Sequence, residues 1–515
     1  LHFFSPGFQS GEITRDIIAV QLMSQPLSPS NSMPDDAMIP GAARPSSWVA
    51  AVLPVALIAA CAELGISILN NSALPVYFTK GLHIPTGVMG LILVWFFIAE
   101  SIFKSPLGIL ADRIGRKPLM LGGAAVTVFT PILLISTHYD PASVTAVALL
   151  VTFGFLRALD GLGQAALWPS LYAYVGDVVQ EKQRGAAMGL LNVVYMIGIA
   201  ISFLAGGFAD DSFGPWLTKQ ETFGDAMHRV EHRIHQSGNH LTERLHHHAH
   251  AAVAGLPAIS APPVVSPDHQ PEYYFPSFYL ASVLFAVAVI AAMALRGKVR
   301  HEVGPAGEGS GESITSAQFI GALKSVPQFL GIAFVTFLGI GCIAPIMKLF
   351  VLAQFHITET GFGVLVLPPA LAIAAVAVPA GHLADKWGTT RSVRLGFLLC
   401  TAGLIAIPAL HSLGGDKIEF ITAATVMGVG FVVAFPAWLA LLTVLGGEHQ
   451  RGTVFAAVST AQGMGALVGV LVGTKLYDSV SHIAPFIAAS LFVSVGTLLT
   501  LIFVRERVLS RAPLK

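Results

Sequence analysis

Twelve apolar runs, each about as long as a bilayer is thick, govern what this chain can fold into. A helix needs roughly 20 apolar residues to cross about 30 Å of hydrocarbon. The runs fall at Trp48 to Asn70, Gly87 to Ala111, Leu119 to Thr137, Val144 to Leu167, Gly185 to Ala209 and Ser277 to Leu295. A second set falls at Gln328 to Leu352, Gly361 to Leu383, Ser392 to Leu410, Ile418 to Leu442, Gly452 to Lys475 and His482 to Val504. They are continuous rather than alternating, so helices, not barrel strands, must satisfy the backbone in lipid. Only 11% of residues are charged, against roughly 25% in soluble domains. The expected class is an all-α membrane protein and not a soluble enzyme. Its partners are the bilayer and a small molecule, with no nucleic acid.

The formal net charge of zero hides a topological asymmetry. Arg113, Arg116, Lys117, Lys182, Arg184, Arg296, Lys298, Arg300, Lys324, Lys386, Arg391, Arg394, Arg451, Arg505, Arg507, Arg511 and Lys515 all fall on one side of the twelve runs. The opposite side has Lys80, Lys417 and Lys475 in its short loops. Lys and Arg in short loops mark the cytoplasmic face, so both termini are expected there, in a plasma (inner) membrane.

These readings divide the chain. Residues 1–47 read as a disordered arm with Met33 or Met38 as the expected start, and no cleavable signal is apparent. Residues 48–209 hold helices one to five, 210–276 a non-cytoplasmic insert, and 277–296 helix six. A cytoplasmic central loop at 297–327, a C-terminal half at 328–504 and a basic tail at 505–515 follow. The insert carries nine of the 18 histidines. His228, His232 and His235 are spaced to share one helix face and are weak candidates for binding zinc, copper or nickel. A solvated tract that becomes cationic in acid is the preferred reading. Cys61, Cys342 and Cys400 all lie inside runs and read as core.

An internal duplication organises the rest. Arg184, Gly185, Gly198, Gly206 and Asp211 align without a gap on Arg451, Gly452, Gly465, Gly473 and Asp478. The same register pairs Gly161, Gly163 and Pro169 with Gly428, Gly430 and Pro436. GILADRIGRK at Gly108 recurs as GHLADKWGTTR at Gly381, each between the second and third runs of its half. Two halves of six runs place a substrate site near the midplane between them.

With these features the chain resembles the major facilitator superfamily from Trp48 to Arg507. The family's loop signature, G-x-x-x-D-R-x-G-R-K, stands complete as Gly108, Asp112, Arg113, Gly115, Arg116 and Lys117, and weaker as Gly381, Asp385, Lys386, Gly388 and Arg391. Physically, Gly108 allows close helix approach and Gly115 a tight turn at positive φ. Asp112 stands where a carboxylate can bond Arg113 or Arg116 and face a helix N-terminus. The resemblance implies that this N-terminus is the one near Gly452, and that the contact shuts an inner gate.

Charges inside the runs each cost about 2.5 to 3.5 kcal/mol at a helix centre on insertion scales. Glu63, Glu100, Lys104, Arg157 and Asp160 are such residues. Glu100 with Lys104, four apart, and Arg157 with Asp160, three apart, are spaced to neutralise one another. FLRALDGLGQAA resembles the family's fourth-span motif R-x-x-x-G-x-G through Arg157, Gly161 and Gly163. That resemblance implies a role in proton transfer, with Glu63 the first choice for the titrating carboxyl because a buried charge is costly to keep. The proposed pathway is therefore Glu63, Glu100, Arg157 and Asp160, with protons as coupling ion and no cofactor.

The fifth run partly matches the drug-efflux pattern G-x8-G-x3-G-P-x2-G-G through Gly189, Gly198, Gly206 and Gly207, with Ser202 and Phe203 where the pattern has Gly-Pro. The glycines are expected to pack against the opposite half, while Gly465, Gly469 and Gly473 form a small-residue packing face. Asn70, Asn71, Trp95, Phe96, Phe97, Trp168, Tyr172, Tyr195, Phe334, Phe337 and Trp438 are candidates to line an apolar-walled cavity. The reading that follows is a monomeric, proton-coupled exporter of small organic solutes working by alternating access. An uptake symporter or uniporter, with metal complexes as a lesser cargo, is the alternative. A non-transporting receptor is the third reading, disfavoured by the intact gate motifs.

Overall fold

The computed structural model describes residues 48–137, 146–179, 181–218, 270–295, 326–445 and 447–504. The arm, residues 219–269 of the insert with His228, His232 and His235, residues 296–325 and the tail lie outside the described residues. Among the described residues every regular element is helical. Among those same residues eleven helices are long and apolar enough to cross a membrane, or twelve when one bent pair counts as a single span.

Helix α1 runs from Trp48–Ser67 through π turns at Ile68–Ala73 and Tyr77–Gly81, with Leu74–Val76 between them. It is followed by α2 (Thr86–Ile114), α3 (Arg116–Ser136), α4 (Ala146–Val178), α5 (Glu181–Leu217) and α6 (Phe275–Ala294). In the second half α7 is the bent pair Pro327–Ile343 and Met347–Phe355. Then come α8 (Glu359–Trp387), α9 (Thr389–Leu413), α10 (Lys417–Leu445), α11 (Gly447–Ser479) and α12 (Ala484–Phe503). Several helices overshoot the apolar runs. The 37 residues of α5 span about 55 Å at about 1.5 Å per residue, well beyond about 30 Å of hydrocarbon. Hydropathy marks where lipid ends, whereas helical hydrogen bonding continues past that point.

The halves pack alike. In the first, α1 lies on α5 and α6, and α4 on α2 and α3; in the second, α7 lies on α11 and α12, and α10 on α8 and α9. Between halves α5 meets α8, and α2 meets α11, contacts that exchange under the repeat. Two prolines show how one constraint has two outcomes. Pro75 in α1 and Pro345 in α7 occupy equivalent places, and each removes a backbone donor from its helix. In α1 the strand of hydrogen bonds widens into π turns on both sides of Pro75, while α7 bends by 41°.

Candidate functional site

The loop between α2 and α3 is a single residue. Gly115 separates the helices at φ 100 and ψ 155, a conformation that L side chains avoid. Gly388, between α8 and α9, has φ 89 and ψ 146. The two halves of the signature are thus the same hinge twice, as the spacing predicts. Basic groups beside each hinge tie the neighbouring helices. Arg116 pairs with Asp177 of α4 at 3.5 Å. Lys117 Nζ donates to the carbonyls of Met293 and Leu295, at 2.8 and 2.7 Å, at the end of α6. In the second half Arg394 donates to the Leu501 carbonyl near the end of α12 at 3.2 Å. Cations there meet the negative end of the helix dipole.

One expectation at this end is corrected. A Cβ at Gly108 would meet nothing within 4 Å, so no close helix approach is made there; among the described glycines, Gly90, Gly207 and Gly363 make close approaches between halves toward the opposite end. Arg113 is exposed. Asp112, Gly381, Asp385 and the residues around Gly452 belong to helices, but their side chains lie outside the described ones. Arg391, in the first turn of α9, is partnered.

Deep in the first half the charged residues come together around α4. Arg157 and Asp160 are both buried, at 1% and 0% exposed. One guanidinium nitrogen pairs with Asp160, the other donates to Asn70 at the π turn of α1, and Thr130 of α3 donates to Asp160. The guanidinium also stands 4.8 Å from the Phe96 ring centre, a cation–π contact. The cluster joins α1, α2, α3 and α4 through one ion pair. Glu63 is buried nearby in α1, and its carboxylate accepts from Ser67 at 2.7 Å rather than from Arg157. Room for it comes from Gly198, where a Cβ would meet Glu63 Cγ at 2.8 Å.

Glu100 and Lys104 form the expected pair at 3.0 Å on a more open part of α2. Glu63 and Glu100 both act electrostatically on Tyr195 of α5. Tyr195 belongs to an aromatic cluster in which Trp168 lies 5.7 Å from Tyr172 and 5.6 Å from Tyr195 between ring centres. Trp438, by contrast, packs into the core of the second half against Phe329 and Phe397.

The helix-five glycines mostly serve their own half. Gly198 and Gly206 face Glu63 and Ser72 of α1, while Gly207 alone of the three meets the other half, at Glu359 of α8. Gly465, Gly469 and Gly473 face the α7 backbone at Phe334, Leu338 and Cys342. The reason is the repeat: α5 on α1 and α11 on α7 are the same packing. Of the three cysteines, Cys61 and Cys342 are buried and Cys400 is partly so; all are free thiols.

A second charged group escaped the sequence reading. Lys348 of α7 is buried, pairs with Glu359 at 2.5 Å, and donates to the Ser72 carbonyl and hydroxyl at 2.9 Å each. Lys348 lies inside the seventh apolar run, so the cost of an intramembrane charge was the signal that could have found it.

The comparisons with known proteins agree with this architecture. The family model described as Major Facilitator Superfamily matches residues 55–218 and 329–515. Multidrug resistance protein 2 of Bacillus subtilis is 23% identical over 441 residues, covering 84% of this chain and 90% of that protein. Multi-drug resistance efflux pump PmrA of Streptococcus pneumoniae is 32% identical over 118 residues, 23% of this chain and 27% of that one. The fold resembles the crystal structure of the nucleoside transporter NupG at TM-score 0.59 and 10% identity, covering 88% of this chain and 98% of that one. Two six-helix halves, a duplicated glycine hinge and a family match across both halves place this chain in the Major Facilitator Superfamily, as a multi-pass membrane transporter.

Proposed function

We propose that the chain exports small organic solutes in exchange for protons, with Glu63 carrying the coupling proton. The observation that carries this is the buried Glu63, whose charge acts on Tyr172 and Tyr195 of the aromatic wall that Trp168 forms with them. An acid in an aromatic-lined space can hold either a proton or a cationic amphipath, which is the exchange an antiporter needs. Gly198, part of the efflux-type pattern, makes the room that Glu63 occupies. The relatives whose names describe multidrug resistance and efflux support the outward direction.

Uptake on the same scaffold is the second reading. It is favoured by Phe203, which stands where the efflux pattern has proline and packs edge-on against Phe362 of the other half at 5.2 Å. Protein in liposomes with an imposed pH gradient and an internal pH dye tests both. Organic cations added on one side are expected to move protons the opposite way, and Glu63→Gln to abolish that flux. Proton movement in the same direction as solute would establish uptake symport, and intact coupling in Glu63→Gln would remove Glu63 from the mechanism.

A further inference from the structure

At the end of the bundle remote from Gly115 and Gly388, the first turns of two helices receive a carboxylate from the opposite half, in α8 alongside the helix's own cap, where the Gly361 N–H donates to the Thr358 hydroxyl oxygen at 3.1 Å. Helix α2 opens at Thr86 after Pro85. Its Gly87 N–H donates to Asp478 Oδ2 at 2.6 Å, and the Thr86 hydroxyl donates to the other oxygen of the same carboxylate. Asp478 sits at the end of α11, in the opposite half. Helix α8 opens at Glu359, and its Thr360 N–H donates to Asp211 Oδ2 at 2.8 Å. Asp211 sits near the end of α5, again in the opposite half, and its second oxygen accepts from the Tyr273 hydroxyl at 2.9 Å.

These contacts are one contact made twice. Asp211 and Asp478 are partners in the internal duplication, and Gly87 and Thr360 are partners in the register that pairs Gly115 with Gly388. In each, a carboxylate of one half satisfies a first-turn N–H of the other, where the helix dipole favours negative charge. Lys348 adds a third tie between halves by binding Ser72 of α1, and it holds Glu359 beside the Asp211 contact. The tie is not symmetric in strength. Asp211 is buried at 3% exposed and has two donors from outside its helix, whereas Asp478 is exposed and screened by water.

We propose that Asp211 and Asp478 are a repeat-related pair of gate latches that hold this end of the transporter shut, and that both break when it opens. The proposal rests on alternating access alone and is independent of whether Glu63 carries protons or which solute moves. It places carboxylate-to-helix contacts at the end opposite the Asp112 and Asp385 motifs, so that each end of the molecule has a pair.

Pulsed electron-spin distances test it without any substrate. Spin labels replace Leu133 of α3 and Leu413 of α9, exposed positions near this end in different halves, with Cys61, Cys342 and Cys400 changed to alanine. Asp211→Ala is expected to shift the ratio of long to short distances by up to about tenfold, and Asp478→Ala by about threefold, as helix-terminus charges do when buried and exposed. The double variant should shift it most. Asp211→Asn, which keeps the shape and an acceptor oxygen but not the charge, should move the ratio in the same direction by less, and it serves if Asp211→Ala does not fold. A label pair within the first half, at Leu133 and Tyr279, should not move. An unshifted ratio in Asp211→Asn/Asp478→Ala, or an equal disturbance of the within-half pair, would overturn the assignment.

Discussion

Between α3 and α4, Thr130 donates to Asp160, which pairs with Arg157. At the equivalent crossing of α9 and α10 in the second half, Gly403 packs against Met427, and Ala424 stands where Arg157 would be. The backbones cross alike, since Gly123 meets Gly163 in one half and Gly396 meets Gly430 in the other. Likewise Ala333 of α7 occupies the place of Glu63 in α1. Duplication preserved the packing that closes the helices and let the chemistry diverge. The first half carries buried charge at its centre, while the second presents an apolar body there.

The contrast can be broken most strongly at the charges. Glu63→Gln is expected to abolish pH-gradient-driven flux while leaving the thermal unfolding midpoint near that of the parent, and coupled flux from the variant would end the functional side of the comparison. Next, Asp160→Ala leaves the Arg157 guanidinium buried with one partner fewer, and loss of one member of a buried pair costs about 3–5 kcal/mol. Its counterpart Met427→Ala removes only packing, about 2–3 kcal/mol, near the lower end for such deletions. Thermal melts in detergent should rank the two in that order, and equal losses would mean that the buried charge is no more demanding than the apolar contact it replaces.

A subtler test lies where the halves agree. Gly115→Ala and Gly388→Ala each force a side chain into an extended backbone at positive φ, at about 1–3 kcal/mol, and the two costs should match within about 0.5 kcal/mol if the hinges are equivalent. Smallest of all, Lys117→Met removes a cation from the last carbonyls of α6. It should lower stability by about 0.3–1 kcal/mol, and Arg394→Met should do the same at α12. A larger loss at one site than the other would show that the halves differ at the hinge as well as in the core.

How far these features were legible follows from the range of each interaction. Glu100 with Lys104 and Arg157 with Asp160 are local pairs, so 3.6-residue periodicity was enough to expect them. The hinges were legible too, because Gly115 and Gly388 recur inside a repeated pattern and only a backbone at positive φ needs glycine there. Lys348 with Ser72, and Asp211 with Thr360, join residues far apart in the chain, and Lys348 with Glu359 joins two successive helices across a turn. No spacing rule encodes such partners. The glycines of α5 illustrate the same boundary: their small-residue pattern predicted a close contact, but not that Gly198 and Gly206 would face α1 and Gly207 the other half.

The amino-acid order by itself determined twelve lipid-length helices, their pairing into two homologous sets, and the hinges between second and third helices of each set. Those depend on transfer free energy, local periodicity and backbone sterics, all of which act over a few residues or along one helix. Only the tertiary structure decided that Glu63 lies beside the aromatic wall and bonds Ser67 rather than Arg157. It also decided that the Arg157 guanidinium reaches Asn70 of α1, and that Asp211 and Asp478 reach across to the helix starts of the other half. In a membrane interior a buried charge must find a partner wherever the packed helices put one, and that position is set by which faces meet rather than by any neighbour in the sequence.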